Sequence, residues 1–205
     1  MGGLWESAVR SFKYHFKRVY GQTVMTQEEM LTLVTRIESV LNSRPLTPLS
    51  SDPHDLRPLT PSLLLIGRHT GILPEPLYDL NDPPLLRRWQ LISLLTQHFW
   101  QRWHLEYLHT LQPRKKWLKP TENVKKGALV LVHDPQAPPS KWKLARITNV
   151  FPAQDGQVRV VELKTATGTL TRPVVKIYPL PLRVPTLPDP KDQRQDEESL
   201  RPKTP

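Results

Sequence analysis

The chain has 205 residues, and its 29 Lys and Arg outnumber 19 Asp and Glu to give a formal charge of +10. A charge of that sign favours a polyanionic partner. The absence of cysteine excludes disulfides and thiolate-bound zinc, and no apolar run approaches the ~20 residues that span a bilayer.

The opening Met1-Gly2-Gly3-Leu4-Trp5-Glu6 has no signal-peptide pattern and lacks the Ser or Thr that myristoylation of Gly2 requires. Residues 4–20 read as an amphipathic helix, with Trp5, Val9, Phe12, Phe16 and Val19 at helical spacing. Arg10, Lys13, Lys17 and Arg18 fill much of its other side, and Gly21 stops it. A second helix is predicted from Thr26 to Asn42. Thr26 and Glu29 form a capping-box pair, and Met30, Leu33, Val34, Ile37 and Leu41 make an apolar stripe. Residues 43–84 are Pro-rich, which excludes long helices there. A short helix is expected after Thr60-Pro61, through Leu63 to Ile66, with Gly67 closing it.

The longest predicted helix spans Leu85 to Leu111, with Leu85, Trp89, Ile92, Leu95, Phe99, Trp103 and Leu108 apolar. Pro113 ends it and a basic run follows. From residue 124 the pattern changes. Ala128–His133, Trp142–Phe151, Val158–Thr165 and Leu170–Ile177 read as short strands, and Asp155-Gly156 marks a hairpin between two of them. Strands of this number and spacing predict a small barrel. The tail beyond Arg183 is charged and Pro-rich, with little to bury, and is expected to be disordered.

Three groups of residues together resemble one family. Gly2-Gly3-Leu4-Trp5-Glu6-Ser7 is similar to the glutamate-bearing segment of retroviral-type integrase cores. Leu41-Asn42-Ser43-Arg44-Pro45-Leu46-Thr47, then Asp55-Leu56-Arg57-Pro58-Leu59-Thr60-Pro61 and Leu65-Ile66-Gly67-Arg68, resemble the end of that core in BEL/Pao-type LTR retrotransposon polyproteins. Arg88-Trp89, Gln97-His98-Phe99-Trp100-Gln101-Arg102-Trp103 and Glu106-Tyr107-Leu108 resemble the domain of unknown function that follows it. Gly127-Ala128-Leu129-Val130-Leu131-Val132, Gly156-Gln157-Val158-Arg159-Val160-Val161 and Arg172-Pro173-Val174 fit the later part of the same domain.

The resemblance implies an RNase H-like core in which three carboxylates hold two divalent ions, Mg2+ or Mn2+ in the full-length family. Glu6 matches the last carboxylate. In the family's chain order the two aspartates precede it, and Asp52, Asp55, Asp79 and Asp82 all follow. One carboxylate is a poor divalent site. The chain alone is therefore expected to need no cofactor and to be no enzyme, Glu6 being a remnant of the D-D-E set. Read from the residues alone, Glu6 is more simply a carboxylate favoured by a helix N-terminus.

Residues 85–120 carry seven cations against Glu106, and residues 122–182 carry nine against four acids. Phosphate contacts are expected from Arg87, Arg88, Arg102, Arg114, Lys115, Lys116 and Lys119, and from Lys141, Lys143, Arg146 and Arg172. Trp117, set among lysines, is the stacking candidate, whereas Trp89, Phe99, Trp100 and Trp103 read as core. Trp142, Phe151 and Tyr178 could form a methyl-lysine cage, but barrel packing is the simpler reading. His98, His104 and His109 do not share a helix face and are not read as metal ligands.

The fold expected is α+β. Residues 1–45 are the last helices of a truncated integrase core, 46–84 a Pro-rich connector, 85–120 a long helix and basic linker, 121–182 an SH3-like barrel of integrase C-terminal type, and 183–205 a tail. The function expected is sequence-independent DNA binding in the nucleus, or in a cytoplasmic pre-integration particle, without catalysis. A homo-oligomer is allowed and a membrane is not. The apolar faces of the first two helices are expected to lack a partner, because the core's sheet is missing. The alternatives are an active polynucleotidyl transferase when an upstream core is supplied, or a domesticated protein-interaction module.

Overall fold

A computed structural model describes residues 3–50, 52, 54–70, 76–78, 87–112 and 123–181. The expected basic run 114–119, the aspartates at 79 and 82 and the tail lie outside them. Helix α1 spans Gly3–Tyr20 and α2 spans Gln27–Asn42. The Thr26 hydroxyl accepts from the Glu29 amide while the Glu29 carboxylate accepts from the Thr26 amide, so the capping box is formed as its sequence pattern predicts. Strands β1 (Thr47–Pro48) and β2 (Pro58–Leu59) pair antiparallel within the Pro-rich segment. Helix α3 (Pro61–Ile66) is capped by Thr60 and closed by Gly67 at φ 67°, the left-handed region that suits glycine.

Helix α4 (Arg88–Leu111) is the centre of the molecule. Ile92, Leu95, Phe99, Trp100 and Trp103 pack with Val19 of α1 and with Leu33, Ile37 and Val40 of α2. The expectation that the first two helices lack a partner is therefore corrected, because α4 supplies one. Leu108 packs with Leu129, Leu131, Tyr178 and Leu180 of the sheet. With layers on two sides, α4 is buried nearly all round from Ile92 to Trp100. Trp89 departs from its predicted core role. It is 52% exposed, because it lies in the first turn, ahead of both packing layers.

The sheet contains β3 (Leu129–Val132), β4 (Leu144–Pro152), β5 (Val158–Thr165), β6 (Gly168–Pro173) and β7 (Ile177–Pro179), in the order β6-β5-β4-β3-β7. All neighbours are antiparallel. The predicted run Leu170–Ile177 is thus two strands. Pro173 has no amide hydrogen to continue a ladder, and a 3-10 turn, Val174–Lys176, redirects the chain so that the last strand pairs with the first. The α+β class stands, but the expected barrel does not close: β6 and β7 are opposite edges of the sheet. A three-residue last strand is too short to reach across and seal the ring.

Alternation decides the two faces of β3. Leu129 and Leu131 meet α4, whereas Val130 and Val132 join Ala145, Ile147, Val161, Leu163 and Ile177 in the sheet's own core. All four residues of β3 are buried for that reason. Register shifts at Ile147/Asn149 and Phe151/Pro152 bend β4 over this inner face.

Candidate nucleic-acid interface

Three of the cations expected to meet phosphate are already engaged by partners within the chain, and one of them, Arg146, is buried. Arg146 is 6% exposed, and its guanidinium donates to the carbonyls of Gly127 (2.8 Å) and Asp55 (2.6 Å). It ties β4 to the segment before β2. Arg88 donates through Nε to Glu29 (2.7 Å), through Nη2 to the same carboxylate and to the Val24 carbonyl (2.9 Å). The Arg88 side chain holds the Glu29 carboxyl below its ordinary value. Lys143 pairs with Asp134 at 3.3 Å.

The others are open to solvent. Arg87 precedes α4, Arg102 lies on its exposed side, Lys141 precedes β4, and Arg172 lies on edge strand β6. Among the described residues, the Arg172 side chain bonds only the neighbouring Thr171 carbonyl. Sequence reasoning left two groups out of the site. Lys125 and Lys126 are exposed in the turn before β3, with Lys126 reaching Asn149 at 3.4 Å. Arg10, Lys13 and Lys17 lie exposed at helical spacing on α1. The signal for the second group was available in the 3-4 spacing of these cations.

The basic run lies outside the described residues, but its neighbours on both sides are held by the sheet region. The Gln112 side chain donates to the Val175 carbonyl at 3.5 Å. The Asn123 side chain donates to the Gly156 carbonyl (2.8 Å) and accepts from the Val158 amide (2.9 Å). Ten intervening residues reach at most roughly 35 Å when fully extended.

The three aromatics of the supposed cage do not assemble. Trp142 lies between sheet and helix, with ring centroids 4.8 Å from Trp100, 6.0 Å from Trp103 and 5.4 Å from Tyr107, and its indole N–H donates to the Ser43 hydroxyl at 3.1 Å. Tyr178 is buried against α4, and Phe151 is half-exposed on the far end of β4. Trp142 is therefore the joint between helices and sheet. The Trp100 indole donates across the same seam to the Ala137 carbonyl at 2.8 Å. Tyr107, whose hydroxyl donates to the Pro45 carbonyl, has its pKa pushed up by burial to about 12.

Glu6 is exposed in the first turn of α1. Among the described residues no three His, Asp or Glu come together that could hold a metal ion. A single exposed carboxylate does not fit the two-metal site of the family Glu6 resembles.

No curated protein and no solved structure matches the chain. Residues 87–180 match a family of unknown function, DUF5641. The match starts one residue before α4 and ends one residue after β7, so α4 and the sheet together form a DUF5641 domain.

Proposed function

We propose that the chain is a DNA-binding, non-catalytic part of a retrotransposon integrase of BEL/Pao type, acting in the nucleus on duplex DNA without regard to sequence. The observation that carries this reading is the supply of uncommitted cations around the domain. Arg102, Lys141 and Arg172 are exposed there, and in the sequence Arg114, Lys115, Lys116 and Lys119 follow α4 at once. The order and spacing of the integrase-like motifs support the ancestry. The sequence carries no recognition-helix or zinc-finger pattern, so backbone phosphates are the target.

Duplex affinity measured by fluorescence anisotropy should fall steeply as salt rises. Replacing Arg114, Lys115, Lys116 and Lys119 by Gln should weaken binding to all sequences alike. It should also reduce the log–log salt slope by up to ~4, about one for each lost phosphate contact. A salt-independent affinity, or strong preference for one short sequence, would refute the reading.

A further inference from the structure

The face of the sheet opposite its own core is covered in two places and open in a third. Leu129, Leu131 and Tyr178 pack with Leu108 of α4. Arg146 of β4 stands opposite Lys164 of β5, and residues 54–55 cover both: Arg146 donates to the Asp55 carbonyl, and the Lys164 ammonium lies 3.3 Å from the His54 ring. Lys164, Glu162 and Val160 alternate along β5, so they share this face. At Val160 it is open. Phe151 of β4 stands opposite Val160, and Val160 stands opposite Pro173 of β6. Residues directly opposite on paired strands lie side by side. The three therefore form one apolar row across three strands, roughly 10 Å from end to end at the ~4.8 Å strand spacing. Phe151 is 50% exposed, Val160 37%, and Pro173 is exposed as well.

A cation stands on each flank. The Lys126 ammonium reaches the side-chain oxygen of Asn149 at 3.4 Å, two residues before Phe151 and on its face. Arg172 precedes Pro173 on the edge strand. Neither pairs with a carboxylate among the described residues. Two acids on this part of the sheet are already engaged: Glu162 accepts from Thr148 and Asn149, and Asp155 pairs with Arg159.

We propose that this row stacks the unpaired bases of single-stranded DNA. An aromatic side chain takes the face of any base, and cations beside it take the flanking phosphates. A duplex cannot use the row, because its base faces are stacked inside. That the strand is DNA rests on the reading given above; the row adds which form of DNA is held.

Fluorescence anisotropy on oligo(dT) and on a blunt duplex of equal length tests this. Phe151→Ala should weaken oligo(dT) binding about tenfold, while the salt slope stays, since no phosphate contact is lost. Phe151→Trp should restore the affinity, and neither substitution should change duplex binding. In the unsubstituted chain, oligo(dT) carrying 5-iododeoxyuridine should photocrosslink to the peptide that contains Phe151. Oligo(dT) affinity that survives Phe151→Ala overturns the proposal, as does an equal loss on the duplex, or crosslinks that map only elsewhere. Oligo(rU) held more tightly than oligo(dT) through Phe151 overturns the assignment to DNA. If the duplex binds with its salt slope intact and oligo(dT) shows no dependence on Phe151, only the stacking row fails. If neither form of DNA binds, the DNA reading fails with it.

Discussion

A cation serves phosphate only if the fold has not already used it, and Arg146 is used. Its two charge-assisted hydrogen bonds satisfy the carbonyls of Gly127 and Asp55 in a site closed to water. Hydrogen bonds from charged groups contribute about 1.5–3 kcal/mol each, and removing the donor leaves both carbonyls without it. Arg146→Met should therefore lower stability by roughly 2–4 kcal/mol in urea unfolding, while the salt slope of duplex binding stays unchanged. A slope that drops by about one with stability intact would return Arg146 to the phosphate-binding set. Lys141→Gln should show the opposite pattern, since Lys141 is exposed and its side chain makes no hydrogen bond or ion pair among the described residues. Sequence alone ranked these two cations equally. Charge and neighbours along the chain do not report that Asp55, 91 positions away, supplies an acceptor.

At the scale of elements, the decisive fact is that α4 has two covered sides. Its stripe Ile92, Leu95, Phe99 and Trp103 was legible as an amphipathic helix, and all four are buried. Burial of Leu94 and His104 was not legible, because it depends on a second layer that sequence periodicity does not name. The sheet depends on α4 in turn. Without it, Leu129, Leu131, Tyr178 and Leu180 would face water. At roughly 1.5–3 kcal/mol for each large apolar side chain, that loss is comparable with the ~5–15 kcal/mol by which domains are stable. Residues 123–181 expressed alone should therefore not melt cooperatively as a monomer, whereas the full chain should. A sharp, concentration-independent melt of the isolated sheet segment would show that the sheet stands by itself.

The whole molecule should be acid-sensitive through its helix–sheet seam. Burial lowers the pKa of His104, and burial with the nearby Arg102 lowers that of His98. The folded state thus keeps both rings neutral at pH values where the unfolded chain protonates them. Their contribution is fully present above the unfolded value near 6.5, and declines as pH falls from there toward the depressed folded values. Calorimetry should give a nearly constant Tm from pH 8 to 7 and a falling Tm between roughly pH 6.5 and 5. His104→Phe keeps a ring against Trp100, where the present rings stack at 4.9 Å, and removes an unpartnered buried Nε2. Its Tm should fall less steeply over the same interval. A Tm that is flat or rises on acidification in the unsubstituted chain would exclude this origin.

What the sequence by itself determined is local. The capping box at Thr26, the stop at Gly67, the turn at Asp155-Gly156 and the strand runs β3 to β5 rest on contacts within a few residues, which composition and spacing encode directly. The basic charge and its richness after Leu111 were equally plain. Only the tertiary structure decided that Leu170–Ile177 splits at Pro173, that β6 and β7 stay apart as edges, that Trp142 joins helix to sheet, that Arg146 faces inward and that Arg88 is taken up by Glu29. Each of these depends on a partner far away in sequence, and burial and hydrogen bonding are satisfied by whichever distant group the packed layers bring within reach.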